Sequence, residues 1–375
     1  MDLIAVKNKL IENIEKDDFR GWDPYDILES GYISRNSNRR ILLFLTQLNR
    51  LSPVNLRKIL GIRKIYNSKA NGLLLSSFLN LEHHRSKIDF LVKWLADNKS
   101  EKFDGYSIGF THDIVLKNYI SFLNHPSTII TLFVMYAFIE YFRETDDQEI
   151  LNLIISFEKL IDEKLPSRET PDSLWYSYNF EKMNEIYNST AKIGKFYSLL
   201  HGIRPREELK VKIGKILNYL AKKQREDGTW AYGRKIKYTD GFHTAFILEA
   251  IWYMRKLVDN EKYERMFEKG TEQYRKTMFR ENGQPLYFHP EYRPSDIRKY
   301  LIQTDIRDCA MAVVFFSKTG ELETAGQVLE WTINSMYDGE GGYFYYYKNP
   351  LMTNRIRFIR WQAWMLYAIS EYSIR

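Results

Sequence analysis

The chain has a single cysteine, Cys309, among 375 residues. A lone cysteine excludes an intrachain disulfide framework and any multi-cysteine zinc site. Long apolar runs are missing too: none reaches 18 uncharged apolar residues, and the longest, around 129–139, is too short to cross a bilayer. The opening MDLIAVKNKLIENIEKDDF carries charge throughout and reads as a short amphipathic helix, not a signal peptide. A soluble, cytoplasmic protein is the expectation. Also absent are a glycine-rich phosphate loop followed by Lys-Ser/Thr, a dinucleotide fingerprint, an HExxH motif and a serine in a nucleophile elbow. Neither a cofactor nor a metal is expected.

The net charge is +7, from 55 Lys and Arg against 48 Asp and Glu. That balance favours anionic partners. The basic residues are interspersed with acidic ones and no long basic run appears, so nucleic acid is set aside. An acidic sugar, a phosphate or an anionic membrane surface fits equally well. The 27 tyrosines suit a wet, polar-walled groove, since each has a flat apolar face and a hydroxyl. A tyrosine-rich core is the plainer account.

What is present is a repeat. Six times a polar helix is followed by a loop rich in Gly, Asp and aromatics, then by a helix apolar nearly all round. The apolar helices start near Asn67, Pro126, Tyr187, Gly241, Asp305 and Ile359, 54 to 64 residues apart. So regular a spacing is the mark of one supersecondary unit used repeatedly. Amphipathic partners read near 39–51, 87–98, 147–164, 206–224, 260–277 and 320–336. In 206–224 the stripe is Leu209, Val211, Ile213, Ile216, Leu217 and Leu220. One-sided helices outside, all-round apolar helices inside, make an all-α fold, an (α/α)6 toroid. One domain over 1–375 is expected, with 1–38 an N-terminal extension packing on the barrel.

Inner-to-outer links are short. Outer-to-inner links are long, near 99–125, 165–186, 225–240, 278–304 and 337–358, and all emerge where the inner helices begin. Long loops in a compact domain are usually functional. YFYYYK and NRIRF around NP read as a β-hairpin, as do DGTWAYG and KIKY. Short hairpins at one end, and a substrate face there, follow.

The helix starts on that face carry the candidate chemistry. Asp240 and His243 stand in TDGFHT, with Tyr238 just before. Asp240 suits an N-cap; an Asp, a His and a Tyr together also suit holding and moving a proton. Asp305 and Asp308, three residues apart, share one helix face. They read either as a cap with an ion pair to Arg307 or, with Asp240 of the adjacent repeat, as the carboxylate pair that glycoside hydrolysis needs. Tyr345 completes the catalytic candidates. Arg355 and Arg360 beside Trp361 suit a bidentate grip on carboxylate or phosphate, with partial positive charge from helix N-termini. Lys235, Lys237, Arg293, Arg298, Lys299 and Lys348 gather on the same loops. Trp230, Tyr232, Tyr343 and Trp361 offer faces for sugar rings, although rim packing suits Trp230 better.

QREDGTW (224–230) resembles the QW-type repeat of terpene cyclases and related toroids, and DGEGGYF (338–344) is a degenerate copy. The acidic proton-donor motif of the terpene cyclases is absent, and Asp305, Asp308, Cys309 and His289 lack the spacing of the zinc sites in prenyltransferases and lanthionine cyclases. The ordered set GWDPYD (21–26), SPVNLR (52–57), DGTWAYG, TDGFHTAF, TDIRDCA and RWQAWMLYA resembles a group of bacterial and archaeal toroid proteins associated with surface-polysaccharide biosynthesis. That resemblance covers nearly the whole chain and implies a context rather than a reaction. YGRKIKYTDGFHT is more weakly similar to the helical domain of glucuronyl C5-epimerases.

Three functions stay open. The first is an enzyme on an anionic, uronate-containing or phosphorylated glycan, either free or lipid-linked, working by proton transfer at a uronate (epimerase or lyase) or by hydrolysis. The second is a non-catalytic glycan-binding component of a polysaccharide assembly system. The third is a terpenoid or prenyl-cyclase-like enzyme. Peripheral contact with a membrane is compatible with each.

Overall fold

The computed structural model describes residues 2–116, 119–295 and 298–375, and of Arg298 only the backbone. Its helices, in chain order, are α1 (Leu3–Lys16), α2 (Arg39–Leu51), α3 (Ser68–Asn80), α4 (Arg85–Asp97), α5 (Thr128–Thr145), α6 (Gln148–Lys164), α7 (Tyr187–Ile203), α8 (Glu207–Lys223), α9 (Gly241–Arg255), α10 (Glu261–Thr277), the single turn α11 (Arg298–Leu301), α12 (Ile306–Thr319), α13 (Leu322–Met336) and α14 (Ile359–Ser373). Among the described residues α3, α5, α7, α9, α12 and α14 each pack on the next, and α14 returns to α3. The ring is an (α/α)6 toroid, as the period requires.

The inner helices start within two residues of the expected positions. Local chemistry sets those starts. Asn67, Ser127, Asp240 and Asp305 each accept a bond from a backbone N–H two or three residues on, at 2.8–3.4 Å, which satisfies an otherwise orphaned donor. α5 and α12 end on left-handed residues, Asp146 and Gly320, so the chain reverses at once into the outer layer.

α4, α6, α8, α10 and α13 back the inner ring, each beside the helix that precedes it. The sixth outer position departs from expectation. It is filled by α1, which packs on α14, while α2 (the 39–51 helix expected there) packs on the 3-10 turn Asp26–Glu29 and on β1 (Ile114–Val115). Both helices are amphipathic, and periodicity does not say which stripe meets the barrel. The stripe of α8 needs one correction: Val211 is 53% exposed, because it lies about 200° round the helix from Leu209.

The remaining strands are β2 (Ile120–Ser121), β3 (Ser167–Thr170), β4 (Ser173–Tyr176), β5 (Thr304–Asp305), β6 (Tyr337–Asp338), β7 (Tyr343–Phe344), β8 (Tyr347–Lys348) and β9 (Thr353–Asn354). The expected hairpin at 343–358 forms as β8–β9, extended by β5 into three strands. The one expected at 227–238 is a tight loop instead. There the Tyr232 N–H donates to Tyr238 O and the Gly233 N–H to Ile236 O.

GWDPYD ties the ring shut. Buried Asp26 takes Arg57 Nε at 2.8 Å, and buried Asp23 takes Asn67 Nδ2 at 2.9 Å and Arg360 Nη2 at 3.2 Å. One loop thereby joins the first and last inner helices.

Candidate active site

The N-termini of the inner helices surround a cavity of about 370 Å³. Tyr25, Arg50, Tyr232, Tyr238, Asp240, His243, Arg307 and Arg360 are among its walls, and Lys69 and Lys192 line it too. A shallower trough of about 490 Å³, with Arg280, Arg293 and Lys299 on it, shares Tyr287 with this cavity.

The fourth repeat supplies the proton-handling pair. The buried Asp240 carboxylate caps α9 through the His243 N–H at 2.8 Å and meets His243 Nδ1 at 2.7 and 2.9 Å. One carboxylate thus fixes both the helix start and the imidazole. With Nδ1 held as donor, Nε2 is the basic nitrogen. His243 stays partly open to the cavity, and the Tyr232 ring meets it edge-on at 4.6 Å. Tyr238 stands beside Tyr232 at 5.5 Å.

The fifth and sixth repeats supply cations. Arg307 is held bidentately by Asp305, at 2.9 and 2.6 Å. Arg360 is held by Asp23. Both guanidiniums lie 4.7 Å from the Trp361 ring centre, and Trp361 itself stacks on Tyr346 at 5.6 Å. The indole is buried and orients the two forks from behind.

Several candidates stand elsewhere than expected. Asp305 is fully buried behind Arg307, and Asp308 is buried against Gly241, where a Cβ would come within 2.9 Å of its Oδ1. Burial, reinforced by Asp305 and Asp240, pushes the Asp308 carboxyl well above the usual carboxylate range. Neither lines the cavity, so neither forms a hydrolytic carboxylate pair with Asp240 there. Trp230 is buried at the rim: its Nε1 donates to Leu220 O at 2.9 Å and its ring abuts Gly270, while Gln224 Nε2 bonds Met266 O at 2.9 Å. The QW-like segment is a staple between α8 and α10. Tyr343, Tyr345 and Arg355 also lie off the cavity. Extended chain alternates its side chains, so Phe344 and Tyr346 point inward and Tyr343 and Tyr345 outward. Arg355 covers Tyr345 at 5.3 Å, and Tyr343 faces Arg357, which is paired with Asp17 just beyond α1.

Lys69, Lys192, Arg50 and Tyr25 are among the lining groups that escaped the sequence reading. Lys69 and Lys192 sit on the cavity floor over a septum formed by Phe133, Phe246 and Trp364. Their amines lie 4.2 and 4.1 Å from the Phe133 ring centre. Burial, then Arg360 and Arg307, hold Lys69 well below the usual amine range; burial, then Lys69, do the same for Lys192. Arg50 Nη1 donates to the Tyr25 hydroxyl at 3.0 Å. Burial would raise that phenol, but the guanidiniums of Arg50, Arg307 and Arg360 outweigh it and bring Tyr25 below its ordinary value. A lysine in a helix otherwise buried all round was the available signal, in NSKANG and NSTAK.

Among the described residues no His, Cys, Asp and Glu side chains cluster in a way that would hold a metal ion. No helix there is long and apolar enough to cross a membrane.

No protein-family model matches the chain, and no curated protein matches it by sequence. Solved structures do match. A cellobiose 2-epimerase from Bacillus thermoamylovorans is 16% identical over 82% of this chain and 87% of its own, with a TM-score of 0.65. A family 76 glycoside hydrolase from Bacteroides thetaiotaomicron is 12% identical over 81% of this chain and 68% of its own, with a TM-score of 0.60. A polysaccharide lyase is 11% identical over 81% and 88%, with a TM-score of 0.54. The likeness is one of fold, and fold alone does not carry function.

Proposed function

We propose that the chain is a carbohydrate-active enzyme that moves a proton on an anionic sugar, in the manner of an epimerase or a lyase. The observation that carries this reading is His243, tethered through Nδ1 to Asp240 and opening on a cavity walled by Arg307 and Arg360. A carbon beside a sugar carboxylate is a weak acid, because its carbanion puts charge on that carboxylate. Two guanidinium forks neutralise the charge and make the proton removable. His243 Nε2 takes the proton, and Asp240 stabilises the resulting imidazolium. In epimerisation a tyrosine hydroxyl, from Tyr232 or Tyr238, returns a proton to the opposite face. In elimination the same hydroxyl protonates the departing glycosidic oxygen as the C–O bond breaks and a C=C bond forms. Epimerases and a polysaccharide lyase among the toroids of like fold agree with this chemistry. Hydrolysis is less well supported, since Asp305 and Asp308 stand behind the wall and the other lining carboxylate, Glu181, is paired with Lys102 and His125. An isoprenoid substrate suits so charged a lining poorly.

The test is proton exchange. Uronate oligosaccharides incubated with the protein in D₂O should either take up deuterium beside the carboxylate or be cleaved to an unsaturated product, both read by NMR, and His243→Ala should stop it. Reaction unchanged in that variant, or neither exchange nor elimination with the wild type on any acidic glycan, would overturn the proposal in favour of a binding component.

A further inference from the structure

The segment from Ser30 to Tyr66 contains eight Lys and Arg and no Asp or Glu. Elsewhere the chain mixes its charges; here it does not. This segment folds as a cap on the cavity end. Arg50 of α2 reaches the cavity, and the last long loop grips the end of the helix through Tyr347 Oη on Leu51 O and Asn354 Nδ2 on Ser52 O. α2 buries Leu42, Thr46 and Asn49 and turns Ile41, Phe44 and Leu48 to solvent, at 55, 65 and 48% exposure. Val54 and Ile59 on the chain after α2, and Phe122 and Leu123 just after β2, whose partner β1 packs against α2, are exposed as well. Arg40, Lys58 and Arg63 are exposed in the same 30–66 segment. Soluble surfaces rarely gather large apolar side chains this way without an occupant.

We infer that this cap is a membrane-docking surface for an anionic lipid bilayer. The charge complement is the deciding observation: exposed apolar groups beside cations, with no carboxylate in the segment, are what an interfacial helix presents to anionic headgroups. A protein partner would have to bring a matching acidic face; a bilayer presents one everywhere. Docked this way, α2 enters the interface side-on and the cavity mouth faces the headgroups. A saccharide carried on a lipid, anionic at the sugar, then reaches the cavity without leaving the membrane. The docking stands without the catalytic reading; only the identity of that cargo rests on the function proposed above.

Flotation of the full-length chain with vesicles tests this. Vesicles of phosphatidylcholine with phosphatidylglycerol should carry the protein, pure phosphatidylcholine vesicles should not, and added salt should release it. Phe44→Ser with Leu48→Ser, both exposed, should cut the bound fraction at least about tenfold while leaving the melting temperature and proton exchange on soluble uronates unchanged. Arg40→Glu should weaken binding in anionic vesicles alone. Failure of the wild type to bind anionic vesicles, or binding indifferent to the α2 variants, overturns the inference. So does a dimer in sedimentation equilibrium that the α2 variants dissociate. Vesicle binding with neither proton exchange nor elimination would sink the catalytic proposal and leave the docking surface standing.

Discussion

Both ends of the barrel bury ionisable side chains, and they do so in opposite ways. Below the Phe133–Phe246–Trp364 septum every inner helix contributes one polar residue: Ser76, Glu140, Lys195, Glu249, Lys318 and Glu371. Their charges meet one another. Lys195 pairs with Glu249 at 2.7 Å, and Lys318 pairs with Glu249 at 3.3 Å and Glu371 at 3.1 Å. Glu140 bonds Ser76, and burial raises its carboxyl. Above the septum Lys69 and Lys192 have aromatic faces for company, and among the described residues no carboxylate lies in ion-pair range of either amine. A buried charge with its counter-charge built in holds a structure together; a buried amine without one is driven toward its neutral form.

The largest expected effect is catalytic. His243→Ala should lower turnover on an acidic glycan by about 10²–10⁴ and barely move the melting temperature, measured on the same samples.

The comparison breaks most directly on its lysines. Lys318→Met strips the buried partner from Glu371 and leaves Glu249 with Lys195 alone, and should cost about 3–5 kcal/mol in denaturant unfolding. Lys192→Met, which removes an amine that burial already disfavours, should cost nothing or stabilise. Equal losses would mean that the two ends do not differ.

Titration sharpens the contrast. Burial would raise Glu249, but Lys195 and Lys318 bring it from 4.5 to about 2. Its contribution to stability is therefore full above pH 4.5 and is lost as the pH falls toward 2. Asp308 has the opposite sign: a raised carboxyl costs stability as the pH climbs above the ordinary carboxylate value. Melting curves against pH should show Glu249→Gln flattening the acid arm and Asp308→Asn the other. The converse assignment would refute both signs.

The smallest effect belongs to residues that sequence reasoning placed in the site and the fold did not. Tyr345→Phe and Arg355→Ala should leave turnover within about twofold and stability within about 0.5 kcal/mol. A clear loss of turnover in either would return the 343–355 loop to the active site.

Legibility followed periodicity. The inner-helix starts were readable because caps such as Asp240 and Asp305 act within three residues. Asp240 and His243 were readable as a pair for the same reason. Tyr345 failed because which face of an extended loop turns inward is settled by what packs beneath it, here Trp361 and Phe358 under Tyr346. Lys69 and Lys192 went unread because they lie on α3 and α7, more than 120 residues apart in sequence, and share a floor through Phe133 of a third helix.

By itself the sequence determined a six-fold alternation of one-sided and all-round apolar helices, hence a toroid, and the end at which its long loops collect. Those are local properties, since a stripe or a cap is written in neighbouring residues. Tertiary structure alone decided that α1 rather than α2 closes the outer ring, that Asp305 is buried against Arg307, and that Lys69 and Lys192 meet at the bottom of the cavity. Each depends on which groups from distant repeats come within a few ångströms, and that is set by closure of the ring and not by any one segment.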